Sequence, residues 1–201
     1  MENLAVFPAD EAMGLPERRF QDFQKVEKEI SDMTERIAGT GISEKRIVVR
    51  IYSPDFPDLQ LVDLPGFIEV AREGEKEQIE QMAEKFIVKG NAIILAVSEA
   101  TVDISNSKAL NFAKKVDPDG ARTIGILTKI DQVKDGTDKV IKILNNKVLP
   151  LKLGYFGLVN RSLRQVEAGI RVKEGVREAE TELSNVIDGS ASLIDNFYLG
   201  V

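Results

Sequence analysis

Three short polar clusters contain the residues whose types and spacing could do chemistry. They are Asp63-Leu64-Pro65-Gly66, Thr128-Lys129-Ile130-Asp131 and Asn160-Arg161-Ser162, and each follows an apolar stretch typical of a β-strand. When such strands belong to one parallel sheet, ligands bind beyond their carboxyl ends. The order and placement of the three clusters therefore predict one shared ligand site.

The second and third clusters suit a guanine base. A carboxylate such as Asp131 accepts two parallel hydrogen bonds from the N1–H and N2–H₂ groups of guanine, whereas adenine presents an acceptor at N1. A site built this way rejects the mismatched base by up to about 10⁴–10⁵-fold. Lys129, which follows Thr128, has an aliphatic stem long enough to lie over the purine. Asn160 and Arg161 would close the other side of the base and the ribose.

The first cluster suits the phosphate end of the same nucleotide. Gly66 has no side chain to block the approach of its amide to a terminal phosphate. Asp63 could reach Mg²⁺ through a water, since this cation keeps several waters and takes few carboxylates. Each cluster also has an ordinary structural explanation, because Asp-x-x-Gly often forms only a turn and because Asn and Ser cap helices routinely. Their joint occurrence favours the nucleotide interpretation.

The elements around these clusters alternate between helix and strand. The apolar pattern predicts strands at residues 46–52, 59–64, 92–97, 122–128 and 155–160. It predicts helices over a stripe that runs from Phe20 to Ile37 and stops at Gly39, and over residues 78–89, 107–116, 136–144 and 170–187. This alternation predicts an α/β fold with a mostly parallel sheet and helices on both of its faces.

The spacing of the apolar residues also gives three expectations about packing. The connector at residues 53–57 is too short for a crossover helix, so the strands on either side of it should form an antiparallel hairpin. The continuous apolar run at residues 92–97 predicts a strand buried on both faces. Phe20, Phe23 and Met33 should belong to the core and not to a cofactor site.

The composition excludes several classes of protein. A chain of 201 residues that is 43% hydrophobic is long enough for one domain with a substantial core. The absence of cysteine and histidine excludes a disulfide scaffold, thiolate metal sites and every Ser-His or Cys-His mechanism. The net charge of −6 argues against general nucleic-acid binding. The sequence contains neither a secretory signal nor a membrane span, so we expect a cytoplasmic location.

The sequence resembles the dynamin family of large GTPases. The resemblance lies in RIYSPDFPDLQLVDLPGF, in AIILAVSEATVDISNSKALNFAKKVDPDGARTIGILTKIDQVKDGTD and in LPLKLGYFGLVNRS. It predicts a non-matching segment at residues 1–16 and a partial GTPase domain over residues 17–201. It also implies a P-loop-NTPase-like sheet that binds GTP and hydrolyses it with Mg²⁺.

The resemblance assigns the same roles to the same residues: terminal phosphate and magnesium to the first cluster, and guanine recognition to the second and third. It adds Asp103, which matches a position in the face through which GTPase domains of this family pair. It implies self-assembly with dynamin-like chains, and contact with a membrane or the cytoskeleton only through other parts of such a protein. A peripheral location at membranes and a role in membrane remodelling follow from the same resemblance.

The family's phosphate loop, G-x-x-x-x-G-K-[ST], does not occur in this sequence, and no residue takes a catalytic role. We therefore expect an incomplete sheet without the central first strand and the phosphate loop. If about five charge-assisted contacts of about 1–1.5 kcal/mol each are missing, GTP binding weakens by about 5–7 kcal/mol. Nucleotide binding by this chain should then be impaired. The alternative is a nucleotide-free copy that acts only as an interaction module with intact relatives.

Overall fold

The computed structural model describes residues 3–54, 57–67, 74–133, 137–170, 174, 175 and 177. The chain divides into two compact units, Met1–Ala83 and Glu84–Gly200, with the boundary inside one helix. The elements up to that helix are β1 (Leu4–Phe7), β2 (Arg18–Phe20), α1 (Phe23–Ala38), β3 (Arg50–Tyr52) and α2 (Glu75–Ile87). The later ones are β4 (Ile94–Glu99), α3 (Lys108–Val116), β5 (Thr123–Thr128), α4 (Thr137–Leu144), β6 (Tyr155–Leu158) and α5 (Leu163–Glu167). This confirms the predicted α/β class.

The first unit is built around β1, the apolar strand Leu4–Phe7. It lies between β2 and β3 and pairs with both of them antiparallel. The Phe7 ring meets the edge of the Phe20 ring, with the two centroids 5.6 Å apart. Val26 and Met33 of α1 pack against the same core. Because both edges of β1 are used inside this sheet, the strand is fixed by partners from distant parts of the chain.

Helix α1 ends at Gly39 as predicted, but it begins at Phe23, three residues after the start of the predicted stripe. The Asp22 side chain caps it by accepting a hydrogen bond from the Gln24 amide, and Gly39 ends it with a left-handed φ of 55°. Phe20 belongs to β2 and not to the helix, although it still packs on the core. The prediction that Phe23 is a core residue is wrong. As the first residue of the helix it lies at the end of the apolar stripe, and 43% of it is exposed.

The predicted hairpin between residues 46–52 and 59–64 does not form. β3 is only Arg50–Tyr52, and its partner is β1, with Val6 opposite Arg50 and Leu4 opposite Tyr52. Residues 59–64 have no strand structure, and Leu61 is exposed. An alternating pattern defines which side chains share a face, but not which strand supplies the hydrogen bonds. A distant partner therefore replaced the neighbouring one.

The second unit contains the predicted parallel sheet, in the order β4-β5-β6. Ile94 lies opposite Thr123 in the first pair of strands, and Gly125 lies opposite Tyr155 in the second. The core combines side chains from the sheet with α3, α4 and the loops between them. Strand β5 lies between β4 and β6 and pairs parallel with both. Because all three strands run in the same direction, their carboxyl ends meet at one edge of the sheet.

Strand β4 is buried on one face only, so the prediction of a doubly buried strand is wrong. Ile94 and Ala96 lie in the core, whereas the alternate residues Ile93 and Val97 are exposed. Successive side chains of a strand point to opposite faces, and β4 is an edge strand of this three-stranded sheet. Most of the helix predicted at residues 170–187 lies outside the described residues. In the described part of the chain, no helix is long and apolar enough to cross a membrane.

A close approach between β5 and β6 gives a first prediction, on stability. A Cβ added at Gly125 would lie 2.1 Å from the ring of Tyr155, which is buried and whose hydroxyl donates to the Leu149 carbonyl at 2.7 Å. To make room for the added methyl, the Tyr155 ring would have to shift and break this hydrogen bond. Gly125→Ala should therefore destabilise the fold by about 1–3 kcal/mol. Urea unfolding measures this, with Gly90→Ala as the control because its added methyl meets no atom within 4 Å. Equal stability of the two variants would contradict the prediction.

Candidate functional site

The second cluster begins at Thr128, the last residue of β5, and presents two of its side chains to solvent. The Thr128 hydroxyl donates to the Ser98 carbonyl of β4 at 3.3 Å. Lys129 has a left-handed backbone, with φ 58° and ψ 33°, and precedes a single 3₁₀ turn, Ile130–Gln132. Lys129 and Asp131 are exposed, whereas Ile130 between them is buried. The two polar side chains of Lys129 and Asp131 thus face solvent, and the apolar side chain of Ile130 between them packs in the core and anchors the loop.

The anchor Ile130 holds the loop against β6. A Cβ added at Gly157 would lie 2.8 Å from the Ile130 Cδ1 atom, so only glycine leaves room for this side chain. Leu127, the last apolar residue of β5, is also fully buried. The position of the Lys129 backbone is therefore set by buried contacts on either side of it and not by the exposed groups themselves.

The third cluster lies beyond β6 and is partly used by the chain itself. Asn160 is exposed. The Arg161 guanidinium donates to the Ile170 carbonyl at 2.8 Å, and its stem lies against Gly175. Ser162 caps α5 in a capping box with Gln165, which is the structural role foreseen for a serine at this place. Of the two predicted base-lining residues, Arg161 thus has a partner within the fold.

The parallel register brings the second and third clusters to the same edge of the sheet. Thr128 and Leu158 are paired residues at the ends of β5 and β6. Lys129 follows the first directly, and Asn160 follows the second by two residues. Five of the seven predicted site residues therefore belong to one edge of the second unit, where a flat ligand could reach both loops.

Asp63 and Gly66 of the first cluster belong to the first unit. Both are exposed, and nothing lies within 4 Å of the position that a Cβ at Gly66 would take. A side chain at this position would therefore meet no neighbour, and the role of the Gly66 amide at a terminal phosphate stays a prediction. Within the described residues, no three acidic side chains come together as a metal site. A single exposed carboxylate fits Mg²⁺ only when waters and phosphate oxygens supply the other ligands.

Glu99, the last residue of β4, is not among the site residues that the sequence predicts, yet it contacts one of them. Its Oε1 atom lies 2.5 Å from the Lys129 Nζ atom, and both side chains are about half exposed, at 47% and 46%. The hydrogen bond from Lys129 is the main cause that holds the pKa of Glu99 below its usual value, burial opposes it, and the charge of Lys129 lowers the pKa further. Glu99 lies opposite Thr128, the residue before Lys129, in the register of β4 and β5. This pairing places the Glu99 side chain beside the second cluster, and alignment of the two strands in the sequence could have indicated it.

Asp103 forms a local turn beyond β4. Its carboxylate accepts hydrogen bonds from the Ser105 hydroxyl, at 2.7 Å, and from the Ser105 amide, at 2.9 Å. These bonds lower the pKa of Asp103, the hydroxyl bond contributing most. The side chain is exposed, and its role in domain pairing stays a prediction.

Comparison with known proteins decides the family. Residues 6–130 match the model of the dynamin family, which is more than half of the chain. The chain belongs to the dynamin family. The first cluster and the first three residues of the second, Thr128–Ile130, lie within the matched range, whereas Asp131 and the third cluster lie outside it. The match starts at residue 6, and the domain boundary predicted at Glu17 stays a prediction.

The dynamin-family relatives are similar over most of this chain. It is 47% identical over 156 residues to the protein named Dynamin from Drosophila melanogaster, and the aligned residues cover 75% of this chain and 18% of that protein. It is 47% identical over 164 residues to Vacuolar protein sorting-associated protein 1 from Schizosaccharomyces pombe. The alignment covers 78% of this chain and 24% of that protein. For Dynamin-2 from Bos taurus, the identity is 45% over 168 residues, and the alignment covers 81% of this chain and 19% of that protein.

The chain thus spans less than a quarter of the length of these curated relatives. The α/β fold with a parallel three-stranded sheet agrees with a partial GTPase domain of the dynamin family. The family and the fold class predicted from the sequence are therefore both confirmed.

Proposed function

We propose that this chain forms the guanine-recognition part of a dynamin-family GTPase domain. Asp131 accepts the N1–H and N2–H₂ groups of guanine, and the stem of Lys129 lies over the purine face. Asn160 lines the opposite side, with Arg161 supporting its loop through the bond to the Ile170 carbonyl. The observation that carries the proposal is the exposure of Lys129 and Asp131 on either side of buried Ile130, at the carboxyl edge of a parallel sheet.

The phosphate end of the proposal uses the first cluster. The Gly66 amide would donate to the terminal phosphate, and Asp63 would hold a water of the Mg²⁺ that accompanies the nucleotide. Bound Mg²⁺ would neutralise charge on the phosphates. No described residue of this chain is proposed as the catalytic group. Nucleotide binding by the chain alone should accordingly be weak, since the sequence contains no phosphate-loop motif.

The larger role follows from the family. We propose that the chain acts within a dynamin-like protein that hydrolyses GTP, assembles with similar chains and remodels membranes from the cytoplasmic side. The names of its relatives, Dynamin and Vacuolar protein sorting-associated protein 1, support this assignment. Pairing of GTPase domains would use the exposed segment around Asp103.

Nucleoside binding tests the proposal directly, because a nucleoside probes the base site without any phosphate contact. Saturation-transfer NMR, which detects weak binding, should show guanosine bound in preference to adenosine. Asp131→Ala should remove this preference and weaken guanosine binding about tenfold or more, because the base loses two hydrogen bonds. Circular dichroism checks the fold of the variant.

Asp119→Ala is the matched control, because it removes one carboxylate from an exposed turn of the same unit. It should leave guanosine binding unchanged. Equal binding of guanosine and adenosine by the unmodified chain would contradict the proposal. That result would favour the alternative of a nucleotide-free interaction module.

A further inference from the structure

We propose that Glu99 is a positioning residue that holds Lys129 ready to cover the guanine base. The proposal rests on the proposed function, and it adds a residue from the neighbouring strand to the site. Its basis is the direct contact between the Lys129 Nζ atom and the Glu99 Oε1 atom. The geometry around this contact indicates more than an incidental surface ion pair.

The first feature is the register of the two strands. Two consecutive residues of the second cluster contact two consecutive residues at the end of β4. The Thr128 hydroxyl donates to the Ser98 carbonyl, and the Lys129 ammonium donates to the Glu99 carboxylate. A backbone bond from the Ala100 amide to the Thr128 carbonyl, at 2.9 Å, closes the same junction. The two side chains are therefore presented to each other by a fixed parallel ladder.

The second feature is that both ends of the pair are held. The other oxygen of the Glu99 carboxylate, Oε2, accepts a longer hydrogen bond from the Thr101 hydroxyl, at 3.4 Å. On the opposite side, Lys129 is fixed by its left-handed backbone and by the burial of Ile130 next to it. The long lysine stem is thus the main flexible part, and its ammonium is tied to β4.

The consequence concerns the entropy of binding. A lysine stem that must lie over a purine loses rotamer freedom when the base arrives, and this ordering weakens binding. If Glu99 already holds the ammonium at the β4 side, part of that freedom is lost before binding. The part of the ligand that Lys129 would cover is a flat, uncharged purine base, and the charge of a nucleotide lies on its phosphates. Glu99 should therefore improve base binding without changing which base is chosen.

The test measures the binding of guanosine, which carries no charge, to the full chain. Glu99→Ala should raise the Kd for guanosine about two- to tenfold, the range expected for releasing one long side chain. The preference for guanosine over adenosine should not change. Glu84→Ala, which removes an exposed carboxylate from α2, should leave the Kd unchanged.

Two further variants separate positioning from charge. Glu99→Gln keeps an oxygen acceptor but loses the charge, so its Kd should lie closer to that of the unmodified chain than the Kd of Glu99→Ala does. If only the charge mattered, the two variants would behave alike. In a Lys129→Ala background, Glu99→Ala should have no further effect, because coupled residues are not additive.

A second measurement does not depend on any ligand. Labelling with an amine-reactive ester, followed by peptide mass spectrometry, reports the reactivity of each lysine. Glu99→Ala should raise the rate at Lys129 about two- to fivefold, as expected for release from a half-exposed ion pair, while the rate at Lys114 stays constant. An unchanged rate at Lys129, or an unchanged or lower Kd for guanosine, would overturn the inference.

The two measurements also distinguish this inference from the proposed function. If guanosine binds and Glu99→Ala binds it equally well, the inference fails and the proposed function stands. If guanosine does not bind the unmodified chain, the proposed function fails. A raised labelling rate would then support the restraint on Lys129 but overturn its role in a guanine site.

Discussion

An Asp131→Asn substitution is expected to change the base preference of this chain from guanosine to xanthosine. Guanine offers two adjacent donors, which match the two oxygens of a carboxylate. An asparagine side chain offers one acceptor and one donor, and neutral xanthine offers the matching N1–H donor and C2 carbonyl. The variant should therefore favour the base that the unmodified chain rejects. The ratio of the two affinities should change about a hundredfold or more, because each nucleoside meets an unmatched group in one of the two proteins.

Competition between the two nucleosides in saturation-transfer NMR measures this ratio. The experiment belongs at mildly acidic pH, where xanthosine is neutral. Asp119→Asn makes the same change in an exposed turn of the same unit and should leave the preference unaltered. A variant at Asp131 that still selects guanosine would show that this carboxylate does not contact the base, even if the nucleoside binds.

The second large effect concerns the stability of the second unit. Asp117 follows α3, and only 7% of it is exposed. Its Oδ1 atom accepts the Ala121 amide at 2.9 Å, and its Oδ2 atom accepts the Arg122 amide at 3.0 Å and the Thr123 hydroxyl at 2.6 Å. The turn that enters β5 is thus organised around one buried carboxylate.

Asp117→Ala should destabilise the chain by about 3–5 kcal/mol. It removes three hydrogen bonds to a buried charge and leaves the Thr123 hydroxyl without its acceptor. It also loosens the turn that carries Arg122, whose guanidinium binds the carbonyls of Ile87 and Ala92. Urea unfolding of the full chain measures the loss. Asp119→Ala, two residues away and exposed, should change stability by less than about 0.5 kcal/mol, and an equal loss in both variants would contradict the prediction.

The same carboxylate predicts a dependence of stability on pH. Burial disfavours the charged form of Asp117, but the hydrogen bonds from Thr123, Arg122 and Ala121 outweigh it and hold the pKa below the usual 3.8. Because the folded pKa is the lower one, the stabilising contribution is complete above about pH 5 and is lost as the pH falls through the unfolded and then the folded pKa. Asp117→Asn should therefore show a weaker loss of stability in acid. Unfolding curves measured at several acidic pH values test this.

The fold class, the family and the elements of the second unit could all be predicted from the sequence. The 3.6-residue pattern of α3 and the apolar runs of β5 and β6 are strong local signals, and each carries its own start or stop, such as Ser107 before α3. The three polar clusters could be found as well, because their residue types follow directly after strands. The register of a parallel sheet then brings the second and third clusters to one edge without further information.

The partners of the short strands could not be predicted, because they depend on contacts between distant parts of the chain. Leu4–Phe7 is four residues long and was not predicted as the centre of a sheet, yet it pairs with β2 on one side and β3 on the other. Local alternation cannot rank a neighbouring strand against a distant one, so residues 59–64 were wrongly expected to pair with β3. Burial of Phe7 against Phe20 and Met33 supplies the packing that the local pattern does not encode.

The contacts that hold the site residues in place could not be predicted either. The types and spacing in the sequence indicate that Lys129 and Asp131 could meet a base, but not that Glu99 holds Lys129 or that Arg161 bonds to the Ile170 carbonyl. Both contacts join residues from different parts of the chain. They depend on the length and direction of flexible side chains after the strands have been aligned, and sequence spacing does not specify that arrangement.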